Sequence, residues 1–113
     1  MEKILNLNQI NEIFEGDAAA IQEILGLLDE SIPEFIEKIN FCMEEDNFEL
    51  LKFAIHKFKS SCQLVTNGAF IELIRNIEKG KHESTTAVKP EVDNLIQLTY
   101  TLQKEIQALT LAA

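Results

Sequence analysis

The stretch FELLKFAIHKFKSSCQLV, residues 48–65, decides the fold. Phe48, Leu51, Ile55, Phe58, Cys62 and Val65 recur at steps of three and four without a miss. That spacing puts all six on one face of an α-helix, and no strand can align them. Asn47 stands where a helix N-cap belongs, and TNG at 66–68 reads as the stop, with Gly68 suited to a left-handed turn. The segments on either side repeat the pattern. Upstream, Asp17 caps a long run in which Ile21, Leu25, Leu28, Ile32, Ile36, Ile39 and Met43 hold one apolar phase. Pro33 falls inside it, and the unbroken phase predicts a kink rather than a split. Downstream, a helix over about 69–79 turns Phe70, Leu73, Ile74 and Ile77 inward. Beyond the loop GKHESTTAVKP, Pro90 marks the start of a last helix lined by Val92, Leu95, Thr99, Leu102, Ile106 and Leu109. A short first helix is expected from Asn8 to Gly16, with Ile10, Ile13 and Phe14 on its apolar side.

The expected fold is therefore all-α, an antiparallel up-down-up-down four-helix bundle with a short extra N-terminal helix, and 1–113 form one domain. Composition agrees. Four Gly and two Pro are too few for a loop-rich β fold, while 46% hydrophobic residues suffice for one core. The net charge of −9 argues against a nucleic-acid partner, because such a surface repels phosphate on average. No cleavable leader and no membrane span are expected, and Cys42 and Cys62 read as packed thiols in a reduced, cytoplasmic protein.

Inside the deciding helix lies HKFKSS, residues 56–61. His56 is about 130° from the centre of the apolar stripe at 100° per residue, so it faces solvent. Lys59 and Ser60 follow at i+3 and i+4 and are its neighbours on the helix surface. From Leu50 to Ile71 there is no Asp or Glu, but Lys52, Lys57 and Lys59 are present. A neutral imidazole is a nucleophile near neutral pH, and an ammonium neutralises phosphate oxygens. Ser60 is small and leaves an approach open. Phe53 and Leu64 lie off the core stripe on the side of His56 and mark a docking surface, with Lys57 and, one turn along, Gln63. Taken alone, the residues leave two readings: a solvated surface histidine, or a phosphoryl acceptor. His82, in the hydrophilic loop, reads as surface decoration. A di-metal bundle site is disfavoured, since Phe53 and Lys79 stand three residues before the histidines where Glu would be needed. Ser60 and Ser61 lack a third group to complete a catalytic triad with His56.

The segment AIHKFKSSCQLVTNGAFIELIRNIE, 54–78, resembles the histidine-containing phosphotransfer (HPt) domain family. His56 matches its phospho-accepting histidine and Lys59 its phosphate-facing lysine. Phe58 replaces the usual Leu, and Phe70, Leu73, Ile77 and Glu78 follow in the family's phase. Ser60 stands where many members have Gly, and Thr66 where a turn Gly is common. The resemblance implies a monomeric phosphorelay intermediate. It would accept a phosphoryl group on His56 from an aspartate of a receiver domain, in a response regulator or hybrid histidine kinase, and pass it to another receiver. It implies a phosphohistidine carrier without ATP-dependent kinase activity, and no cofactor on this chain; Mg²⁺ would belong to the receiver. The alternative is a helical adaptor that docks a signalling partner without taking phosphate, or a bundle acting only in assembly.

Overall fold

The computed structural model describes residues 3–80 and 84–112. It contains α1 (Leu7–Ile13), α2 (Ala18–Glu44), α3 (Phe48–Cys62), α4 (Gly68–Lys79), a 3₁₀ turn (Thr85–Val88) and α5 (Lys89–Ala112). Helices α2 to α5 pack as a ring of neighbours, α2 on α3, α3 on α4, α4 on α5 and α5 on α2. This is the up-down-up-down bundle that short connections enforce. At 1.5 Å per residue the 27-residue α2 is about 40 Å long and sets the 44 Å long axis. It runs through Pro33 as one helix, so the apolar phase prevails over the missing N–H.

The deciding stretch behaves as its spacing requires. Phe48, Leu51, Ile55, Phe58, Cys62 and Val65 are all buried. Phe58 stacks on Phe35 of α2 with ring centroids 3.7 Å apart and meets Phe70 of α4 edge-on at 6.3 Å. One side chain thus joins three helices at the centre of the core. Cys42 and Cys62 are buried free thiols, and burial pushes the Cys62 thiol up to about 12.

Three boundaries differ from expectation. Asn6, not Asn8, caps α1, its side chain accepting from the Gln9 N–H. Gly68 does not take a left-handed turn; it is the first residue of α4, because the Asn67 side chain caps Phe70 N–H and recruits Gly68 into the helix. Part of the long loop is the 3₁₀ turn, and α5 begins at Lys89, one residue before Pro90. His82 lies outside the described residues.

The two ends of the bundle are closed by polar contacts. At one end Asp46 has φ +49 and ends α2 with a Schellman pattern, Asn47 N–H donating to Cys42 O at 3.0 Å. Its Oδ1 also accepts from the N–H and Oγ1 of Thr85, both at 2.8 Å, which pins the 3₁₀ turn to the α2–α3 turn. These hydrogen bonds hold the Asp46 carboxyl below its ordinary range. At the other end the N-terminal segment pairs with the α3–α4 turn. Asn6 N–H donates to Val65 O and Asn67 N–H to Ile4 O, at 2.9 and 2.8 Å. The Glu105 carboxylate of α5 accepts from the N–H groups of Ile4 and Leu5, at 3.2 and 2.9 Å. Both side chains are buried, so this segment belongs to the core.

Candidate functional site

His56 sits midway along α3 with 66% of its side chain exposed, as the wheel requires. Its ring is not free on both sides. Nδ1 lies 3.2 Å from Oε1 of Glu78, near the end of α4. A carboxylate can only accept, so in the neutral ring Nδ1 carries the hydrogen and Nε2 the lone pair. Nε2 has no partner among the described residues.

Lys59 reaches the other oxygen of the same carboxylate, Nζ donating to Oε2 at 2.8 Å. Lys59 and Glu78 are only 16% and 14% exposed, whereas the imidazole they flank is in water. One carboxylate therefore fixes both the ring face and the ammonium. Glu78 can do this because Ile71, Ile74 and Glu78 follow the i, i+3, i+7 phase of α4, which carries the acid to the edge packed on α3.

This corrects one expectation. The window from Leu50 to Ile71 is free of acids in sequence, but in space a carboxylate lies against His56. The contact spans 22 residues along the chain and crosses from one helix to the next, which single-helix geometry cannot reveal. The available signal was an acid standing at the next position of an apolar stripe. Lys59 is likewise turned into the α3–α4 seam rather than left in solvent.

The remaining sequence-selected residues fall on one surface. Phe53 is 64% and Leu64 50% exposed, and Lys57, Ser60 and Gln63 are exposed with them. Ser60 Oγ bonds back to His56 O at 3.3 Å, which folds its hydroxyl onto the backbone and keeps the space beside the ring open. Gln9 of α1 donates through Nε2 to Leu64 O at 2.8 Å, so α1 holds the end of this patch in place. Thr66 is buried, with Oγ1 donating to Cys62 O at 2.9 Å; it terminates α3 by back-bonding where a glycine would do so by its φ angle.

No protein-family model and no curated protein matches the chain in sequence. Solved structures are more informative: the chain has the fold of an HPt domain. The crystal structure of the HPT domain from the Hpt sensor hybrid histidine kinase of Shewanella superposes with a TM-score of 0.83, over 96% of this chain and 95% of that one, at 18% sequence identity. At that identity the likeness establishes the architecture, and the chemistry has to be argued from the side chains. Among the described residues no helix is long and apolar enough to cross a membrane, and no cluster of three metal-ligating side chains is formed.

Proposed function

We propose that this chain is a histidine phosphotransfer protein that relays a phosphoryl group between receiver domains in the cytoplasm. The observation that carries the reading is a solvent-exposed imidazole whose Nδ1 side is occupied by Glu78, leaving the Nε2 lone pair outward. In the transfer, Nε2 of His56 forms a bond to phosphorus as the bond from phosphorus to the donor aspartate oxygen breaks, and the aspartate carboxylate leaves. Onward transfer is the reverse, to an aspartate of a second receiver.

The ring gains positive charge as the N–P bond forms, and Glu78, accepting from Nδ1–H, balances it. Lys59, on the adjacent turn, neutralises the phosphoryl oxygens. Phe53, Lys57, Ser60, Gln63 and Leu64 surround the ring and dock the receiver, which supplies the Mg²⁺ and the remaining catalytic groups. The chain is thus a carrier, with catalysis shared across the complex.

The test is incubation with a phosphorylated receiver domain. Acid-labile, base-stable label should appear on the wild type and be absent from His56→Gln. Receiver binding without label on either protein would replace this reading with that of an adaptor.

A further inference from the structure

Charge is distributed unevenly over the fold. Helices α3 and α4 with the turn between them, residues 48–79, carry five cations (Lys52, Lys57, Lys59, Arg75 and Lys79) against three acids (Glu49, Glu72 and Glu78), a formal +2. The total is −9, so the rest of the chain carries −11. The structure makes this segregation spatial, because α3 and α4 pack side by side and form one wall of the bundle. Glu78 is committed to Lys59 and His56, and Glu72 reaches Arg75 at 4.0 Å. Lys52 and Lys57 are exposed and have no carboxylate partner among the described residues. They lie on either side of His56 on the α3 wheel, with exposed Phe53 between them and Leu64 beyond. An apolar centre rimmed by unpaired cations has the anatomy of a protein-docking patch.

We propose that the partner of this wall is a protein surface rimmed with carboxylates, and that charge orients its approach. An acidic partner is attracted to the α3–α4 wall and repelled by the net negative charge of the rest of the chain, so productive encounters are favoured over the rest. The partner class rests on the reading of the chain as a phosphotransfer protein; the charge requirement rests on the wall itself. A nucleic acid or an anionic lipid surface would also meet the two lysines, but either extends far past the patch and would face the surrounding −11. A compact acidic protein face would not.

The experiment measures association of the full-length His56→Gln protein with unphosphorylated receiver domains of the source organism by stopped flow, so that no group transfer is involved. Salt is raised from 0.1 to 1 M, which shortens the screening length from about 10 to about 3 Å. The association rate constant should fall about tenfold or more. Lys52→Glu with Lys57→Glu should lose about tenfold at low salt and flatten the salt dependence. Lys89→Glu with Lys104→Glu, on α5, changes the net charge equally and should stay within about twofold, with melting curves showing that both variants fold. Salt-independent association, equal losses in the two double variants, failure of every receiver to bind, or tighter binding to duplex DNA or phosphatidylserine vesicles than to any receiver would overturn the proposal. The two readings separate cleanly. In the parent His56 protein, label with salt-insensitive association leaves phosphotransfer standing and removes charge steering. Patch-dependent association without label does the reverse.

Discussion

Replacing Glu78 by Gln tests whether one carboxylate serves both the fold and the chemistry. The Lys59 contact is 2.8 Å between side chains that are 16% and 14% exposed. Two unit charges at such range are worth about 6 kcal/mol near a protein surface before desolvation is subtracted. Exposed pairs net about 0.2–1 kcal/mol, and removing one partner from a fully buried pair costs about 3–5. A seam between those limits puts Glu78→Ala at about 2 kcal/mol. Gln keeps the shape and one acceptor oxygen, so its cost is about 1 kcal/mol, or about 4 °C in Tm for a chain of this size. At the ring, which is in water, the lost hydrogen bond is worth about 1 kcal/mol, about a fivefold change in the ratio of the two tautomers. The Nε2 lone pair then exists for a smaller fraction of the time. Single-turnover transfer from a saturating phospho-receiver should slow about two- to fivefold, five being the limit set by the tautomer ratio, receiver affinity should hold within about twofold, and the ring ¹⁵N shifts of His56 should move toward the Nε2–H form. A transfer rate within twofold of wild type, alongside the expected loss of Tm, would refute the positioning role and leave Glu78 as a clamp for Lys59 alone. If neither quantity changes, the contact does not exist in solution.

Other outcomes follow from the core and the two ends. Phe58→Ala removes a ring packed between Phe35 and Phe70 and should cost about 3–5 kcal/mol by denaturant titration, against less than about 1.5 for Phe58→Leu if the rings repack. The Cys62 thiol is raised from 9.0 to about 12, so the folded state holds its proton longer than the unfolded one; its stabilising contribution is complete below pH 9 and is lost as pH rises from there toward 12. Cys62→Val should flatten that alkaline slope in pH-dependent melts, and wild-type Cys62 should resist alkylation at pH 8 until the chain unfolds. The Asp46 carboxyl is lowered by its bonds to Thr85 and Ser84, so the stability it confers is present above the ordinary value of 3.8 and lost as pH falls through the folded value. Asp46→Asn should shrink the acid-side change in Tm, and an unaltered profile would count against the anchor.

The sequence by itself determined the helical class, the burial of the six residues from Phe48 to Val65, and the exposure of His56, Phe53 and Leu64. These are local properties: a period of 3.6 residues assigns each side chain of a helix to a face, and an apolar stripe says which face is inside. It could not place what depends on contacts between distant segments. Glu78 meets His56 only because α4 returns antiparallel along α3, and Glu105 grips Ile4 and Leu5 only because α5 ends beside the N-terminal segment. Gly68 opens α4 instead of making a left-handed turn for a related reason, since the choice between turn and helix start falls to Asn67, whose N–H and side-chain amide are held by the carbonyls of Ile4 and Lys3. A face is fixed by spacing along one helix, whereas a partner is fixed by which helices lie side by side and in what register. That decision belongs to the packing of the whole core.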